Sequence, residues 1–454
     1  MNRRSADIVI CGAGILGISA AYQLAVKRGL KNILLIDERP PLTLTSDKST
    51  EAYRNWWPGP GDAMVRLMNR SIDLMEDMAR ACSNVFKLNR RGYLYVTTDQ
   101  ERVAALHSSA EEASSLGAGD LRGHGKVDKT YQRHHADGFE GLDGADLLTY
   151  PTLIQNHFPY LGKEVVAALH VRRAGWLSAQ TYGMWMLEQA RTAGVELLNG
   201  HINSVEKTAG KISGVTLADG AHIKTRIFIN AAGPHLADVG GLLGLEIPVT
   251  NELHLKSSFN DHLGVVARDA PLIISTDEQR LDWSEEERTV LAEDPATAWL
   301  LETLPSGAHT RPEGDAAAQS ILVLWDIHNN PMDAIFPIPE DPLYTEVALR
   351  GLARILPGLR AYVERMPRPT VDGGYYTKTR ENRPLASPLP VEGAYAIGAA
   401  SGYGIMASAA LAELLAAHIT GANLPDYAPA FELSRYENPD YQKLLANWGD
   451  SWQL

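Results

Sequence analysis

The first forty residues alternate short apolar runs with glycine. Asp7–Cys11 is a β-branched run with the composition of a buried strand. Ile18–Gly29 places apolar residues at Ile18, Ala21, Leu24 and Ala25, the spacing of one helical face, and stops at Gly29. A second buried strand is expected at Ile33–Ile36, just before Asp37. Farther along, the pattern predicts helices at Ala63–Ala81, Glu101–Leu116, Tyr182–Ala193, Asp282–Arg288, Leu343–Leu356 and Ala409–His418. Strands are expected at Arg91–Thr97, Val195–Leu198, Ile321–Trp325 and Ala394–Ile397. Val205–Glu206, Ile212–Leu217 and Ile223–Ile229 read as a small antiparallel meander. Gly117–Gly144 is polar and reads as a solvated loop; the spacing of His124, His134 and His135 does not match a metal site, and none is expected.

Composition narrows the class. The chain has 454 residues, two cysteines and a formal charge of −13. That length suits two or three domains or one composite unit, with a core that needs no staples. Cys11 and Cys82 cannot build a disulfide framework. The acidic balance argues against a nucleic-acid partner but leaves room for a local basic pocket. No targeting segment is evident: the apolar start is broken by Gly12, Gly14 and Gly17. Ile405–Ala417 carries Glu413 and falls short of the ~20 residues of a membrane span. A cytoplasmic, soluble protein without stable membrane insertion is expected, with loose peripheral association left open.

The chemistry begins at Gly12-Ala13-Gly14-Ile15-Leu16-Gly17, between the first strand and the first helix. Gly12 suits the tight turn, Gly14 lets a pyrophosphate approach the helix N-terminus, and Gly17 permits close helix–strand packing. Asp37, with Glu38 beside it, stands where a carboxylate accepts both ribose hydroxyls and disfavours a 2′-phosphate. The fingerprint alone does not separate FAD from NAD. A distant second element does help. Gly398-Ala399-Ala400-Ser401-Gly402-Tyr403-Gly404-Ile405-Met406 leads from a strand into a helix near the C-terminus, a layout typical of split FAD domains. Between them, Asn230-Ala231-Ala232-Gly233-Pro234 ends an apolar strand in small residues that allow close approach. Ser46–Gly61 is an irregular loop holding Ser49, Thr50, Arg54, Trp56 and Trp57, suited to binding or to anchoring the loop on the core.

Together these segments resemble the D-amino-acid oxidase superfamily, nearest the glycine/sarcosine oxidase and dehydrogenase branch. The resemblance runs through nearly the whole chain and includes Gly175-Trp176-Leu177 and Thr377…Arg383-Pro384. It implies a mixed α/β (α+β) fold: a Rossmann-like FAD domain of the glutathione-reductase type, interleaved with an antiparallel-sheet substrate domain. Residues 1–90, 165–250 and 366–454 would form the first, and 91–164 and 251–365 the second. Carried onto this chain, FAD would meet Gly12, Gly14, Ile15, Leu16, Gly17, Asp37, Glu38, Ser49, Thr50, Arg54, Val205, Ala231, Ala232, Gly233, Arg383, Gly402, Tyr403, Gly404, Ile405 and Met406. The implied activity is oxidation of a small-molecule amine or amino acid at its C–N bond. Oxygen, or an electron-acceptor protein or quinone, would then reoxidise the flavin.

Departures from the family pattern matter as well. Gly374 takes the place of the cysteine that bonds the flavin in sarcosine oxidases, and residues 40–61 contain no histidine, so FAD is expected to be non-covalent. Met406 replaces a lysine that commonly holds a substrate carboxylate, which leaves Arg54 as the candidate cation. Arg54, Tyr403 and Tyr375 are the catalytic candidates; Tyr376, His254, Lys256, Trp56 and Trp325 are candidates for the pocket wall. No general base stands out. Two other readings stay open: a flavin monooxygenase, against which no Gly-Asp pair precedes the last helix, and a non-catalytic flavin subunit of a larger complex.

Overall fold

The computed structural model describes residues 4–57, 59–126, 130–133, 137–315 and 317–448; His134 and His135 lie outside the described residues. Ile8–Cys11 and Ile33–Asp37 become neighbouring parallel strands because their residues are apolar on both faces. They sit in a six-stranded sheet ordered Glu196–Asn199, Ile33–Asp37, Ile8–Cys11, Ile227–Asn230, Ala394–Gly398, Leu385–Pro388, antiparallel only at the last pair. Alternate residues serve two cores. Ile8 and Ile10 pack with the helices Ile15–Tyr22, Ala63–Ala81 and Gly404–Thr420. Val9, Leu34 and Phe228 face the meander through Val215 and Ile223.

The meander departs from the expected pattern in its first and third strands. Ile202–Thr208, Lys211–Leu217 and His222–Lys224 pair antiparallel, and Arg4–Ser5 adds a parallel edge. The stretch Ile223–Ile229 is not one strand. Thr225 turns out of it, its hydroxyl bonding to the Asp7 and Ile227 carbonyls, and Ile227–Asn230 enters the central sheet. The helix expected at Ala409–His418 starts at Gly404, directly after a turn at Ser401–Tyr403, so Ile405 and Met406 lie in its first turn. With that turn it runs 20 residues, Ser401–Thr420, enough by length and apolarity to cross a membrane. It is 72% buried inside the protein, as a core helix is.

The second layer is a nine-stranded sheet ordered Thr370–Lys378, Thr250–Asn260, Ser320–Leu324, His309–Pro312, Leu272–Ser275, Tyr93–Thr97, Ala167–Val171, Ala145–Leu148, Leu121–His124. Ala167–Val171 pairs with Tyr93–Thr97, and Thr370–Lys378 with Thr250–Asn260, so the chain crosses between layers later than 165 and 366. Part of Gly117–Gly144 also belongs here. Leu121–His124 is an edge strand, and His124 is buried against Asp146 at 2.6 Å, so it is not solvated. Arg122 and Arg172 hold the same carboxylate, which keeps Asp146 ionised despite burial.

Register decides what each face of this sheet carries. Glu252 pairs with Tyr376, His254 with Gly374, Lys256 with Leu324, Leu324 with His309, His309 with Ile274, and Leu272 with Tyr93. Directly paired residues share a face, so these side chains form one continuous row. The opposite face carries Leu94, Ile273, Val323 and Trp325, packed under the helix Tyr344–Ala353.

Candidate functional site

The glycine loop is built by backbone crowding. Gly12 has φ +108°, and a Cβ there would stand 2.4 Å from the Ala231 carbonyl oxygen. A Cβ on Gly17 would stand 1.9 Å from the Gly12 oxygen. Gly14 differs: its added Cβ would meet only Ser46 Oγ, at 3.2 Å. The Ser46 hydroxyl accepts from Ile15 N–H at 2.9 Å, filling the free end of the helix, and Asp37 accepts from Ala13 N–H at 2.7 Å. An anion at this N-terminus would meet unpaired N–H groups and the positive helix end.

From this loop a cavity runs past Thr45, Ser46, Ser49, Ala231, Gly233 and Pro234 to Ala399–Gly402, Gly404 and Ile405. It therefore joins the N-termini of two buried helices. At Gly402 and Tyr376 it meets a second cleft of about 1030 Å³, lined by the polar row of the large sheet. The residues fit an FAD: a pyrophosphate cradle that a Cβ at Gly14 would crowd, a narrow channel, and a second helix N-terminus for an electron-rich ring edge.

Arg54 enters the wide cleft from the strand Ala52–Arg54, which pairs with Ala174–Trp176. It is 7% exposed, donates to the Trp56 carbonyl at 3.1 Å, and lies 4.5 Å from the Trp57 ring centre and 5.6 Å from that of Tyr93. Among the described residues it has no carboxylate partner. A buried guanidinium in that state is an anion site waiting for its anion.

Across the cleft the charges are paired. The His254 ring stacks on Tyr376 at 3.8 Å and 14°. Its Nδ1 lies 2.7 Å from Asp326, its Nε2 3.3 Å from Glu252, and Lys378 holds Glu252 at 2.5 Å. Burial alone would lower the His254 pKa, but Asp326 and Glu252 outweigh it and raise it. Asp326 is correspondingly held well below the usual carboxylate range, His254 overcoming the cost of burial.

Of the candidates, Gly14, Ile15, Leu16, Ser49, Ala231, Gly233, Gly402, Gly404 and Ile405 line the narrow channel. Thr50, Arg54, Gly402, Tyr403 and Met406 line the wide cleft. Tyr403 donates to the Asn382 carbonyl at 2.5 Å and meets the Trp57 ring edge-on at 5.1 Å. Gly12 and Gly17 act through packing. Ala232 caps the strand end through Asn230, and Glu38 bonds to His201 at 3.0 Å on the surface. Val205 sits in the meander core. Arg383 is buried beneath Trp448 and donates to Pro60, away from both cavities.

Tyr375 does not face the wide cleft. The residue lines the channel, where its carbonyl accepts from Thr45 at 3.0 Å; it belongs to an apolar cluster with Leu253, Leu255 and Tyr344, and its hydroxyl donates to the Ile335 carbonyl at 2.9 Å. The alternation of the strand gives the cleft to Tyr376 instead. Tyr375→Phe is therefore expected to cost about 1 kcal/mol of stability and to leave substrate kinetics unchanged; denaturant unfolding beside steady-state kinetics checks both halves. Lys256 donates to the Ser49 carbonyl at 3.4 Å, Trp56 is enclosed in the core, and Trp325 lies on the far face of the sheet. His309, Asp326, Lys378 and Ser46 were not singled out by the sequence.

With this geometry in place, comparison with known proteins adds the following. The sequence model of the family described as "FAD dependent oxidoreductase" (DAO) matches residues 7–418. The human mitochondrial dimethylglycine dehydrogenase is 26% identical over 273 residues, covering 59% of this chain and 28% of that protein. The sarcosine oxidase subunit beta of Arthrobacter sp is 23% identical over 256 residues, covering 54% and 56%. The chain thus spans about half or less of the length of these relatives. The L-proline dehydrogenase structure from P. horikoshii superimposes with a TM-score of 0.73 at 19% identity, covering 96% of this chain and 98% of that one. At that identity the likeness speaks for the fold.

Proposed function

The chain belongs to the DAO family of FAD-dependent oxidoreductases, and from that membership we propose that it oxidises an amino acid or N-substituted amino acid to the imine. The observation that carries this reading is Arg54: a buried guanidinium with no carboxylate partner among the described residues, in a roomy cleft that meets the FAD channel at Gly402 and Tyr376. A substrate carboxylate would complete it. FAD, when bound, supplies the two-electron acceptor for the α-carbon. This chain's residues orient and enclose. Arg54 fixes the carboxylate, Tyr403 and Tyr376 wall the cleft, and the apolar residues Leu272, Ile274 and Met406 keep water from its floor.

The FAD is proposed to be non-covalent. Cys11 is a partly buried strand-end thiol whose pKa desolvation pushes up to about 12, and a side chain at Gly374 would press on Thr45 and Lys48. The cleft's volume favours a substrate bulkier than glycine or sarcosine. The test is a comparison of amino acids, N-methyl amino acids and bulkier N-substituted ones as anaerobic reductants of the flavin. The bulky members are expected to bleach it at the lowest concentration; bleaching by glycine-sized acids alone would sink the size argument. Readmitting oxygen then separates an oxidase from a dehydrogenase that passes electrons to a protein or quinone. The match to a sarcosine oxidase subunit favours a second reading, in which the chain works with partner subunits.

A further inference from the structure

We propose that His309 Nε2 accepts the ammonium proton of the bound amino acid. The proposal rests on the reading of the cleft as an amino-acid site. An amino acid arrives as an ammonium, and only the free amine has the lone pair that forms the C=N bond. That proton goes either to solvent or to a group lining the cleft.

The geometry singles out His309. It opens the strand His309–Pro312, on the same sheet face as Tyr376, Glu252 and His254, and lines the wide cleft. Its Nδ1 donates to the Gly307 carbonyl at 2.7 Å, a bond that only a protonated Nδ1 can make. In the neutral ring Nε2 then carries the lone pair, and no described residue bonds to it. Of the other bases lining the cleft, those on the same sheet face are occupied. Both nitrogens of His254 lie against carboxylates, and Glu252 is shared between His254 and Lys378.

The charges around His309 suit a proton that comes and goes. Arg54 from the loop-side strand and Arg311 from its own strand oppose protonation, while Asp326 from the neighbouring strand end favours it. Across the cleft, Glu252, His254 and Lys378 form the paired cluster described above. Burial is the largest influence and lowers the His309 pKa, so the ring is neutral near pH 7 and able to accept. Arg54 and His309 line the same cleft, where a carboxylate and an α-amine are the two ends of one amino acid.

The step balances. The substrate N–H bond breaks and leaves its electron pair on nitrogen; the proton forms a new bond to His309 Nε2, giving an imidazolium that Asp326 stabilises. FAD, when bound, would supply the acceptor for the α-C–H electron pair, and the amine lone pair left by His309 is what the second bond of the imine requires. The proton on Nε2 is lost afterwards to water entering the cleft.

The test is the pH dependence of binding of 2-methylalanine, which has no α-hydrogen and cannot be oxidised, read from the flavin spectrum of the holoprotein. When the proton stays on the enzyme, Kd is flat from the His309 pKa up to that of the amine. In His309→Gln the proton must go to solvent, so Kd rises about tenfold for each pH unit below the amine pKa. The anaerobic rate of flavin reduction by an oxidisable amino acid follows the same two profiles. A wild-type Kd that already climbs tenfold per unit overturns the proposal without any variant, as does a His309→Gln protein with the wild-type profile. His309→Asn repeats the comparison if the glutamine variant loads flavin poorly. If no amino acid binds or bleaches either protein, the amino-acid reading fails, a result distinct from an unaltered pH profile.

Discussion

Replacing Arg54 with methionine is expected to weaken amino-acid binding at least about 100-fold while leaving the ligand-free protein as stable as before or more so. Losing one partner of a buried, charge-assisted contact costs about 2–5 kcal/mol, and a 100-fold change in Kd is about 2.7 kcal/mol. The stability change has the opposite sign for a clear reason. The Arg54 guanidinium is 7% exposed, with a carbonyl and two aromatic rings but no counter-ion among the described residues. Burying a charge without its partner is unfavourable, and methionine keeps the length and the contact with Trp57 without the charge. Arg54→Lys keeps a cation but loses the planar fork, so it belongs between the two. Kd from anaerobic flavin titrations, beside the melting temperature, reads both signs. An unchanged Kd would remove Arg54 from the substrate site.

The second large effect separates two glycines three residues apart in the same glycine loop, Gly14 and Gly17. Gly17→Ala drives a methyl to 1.9 Å from the Gly12 carbonyl, backbone against backbone, with nothing able to yield. The helix must lift from the strand, at a cost above about 3 kcal/mol. That variant is expected to be unstable and free of flavin. Gly14→Ala places its methyl 3.2 Å from a serine hydroxyl that can rotate, so the fold survives. The methyl then stands where a pyrophosphate would approach the N–H groups of the helix, and FAD affinity falls on the order of 10- to 100-fold. The flavin-to-protein ratio and the melting temperature distinguish these outcomes. A Gly14→Ala protein carrying full flavin would place the cofactor elsewhere.

The nucleotide end was legible because local rules build it. Three glycines, two apolar strands and a terminal acid act within forty residues, and the structure realises each in place. The substrate face was much less legible, because pairing between distant strands creates it. Thr250–Asn260 mixes Glu252, His254 and Lys256 with leucines; its polar face lines a cleft, so alone it reads as a broken strand. His309 follows Pro305-Ser306-Gly307, a turn-like stretch with no motif, and becomes meaningful only beside Ile274 and Leu324. Tyr375 and Tyr376 are adjacent, and a register of one residue decides which of them meets the cleft. Composition could not show that. The polar segment around His124 misled for a related reason: charged residues pair with one another at the sheet edge and are buried by that pairing.

Anaerobic titration of the flavin-loaded protein tests amine oxidation most directly. Full loss of the oxidised flavin absorbance with one equivalent of an amino acid or N-substituted amino acid, and none with NADH, is the expected result. Reduction by NADH with every amine and amino acid ineffective would contradict it.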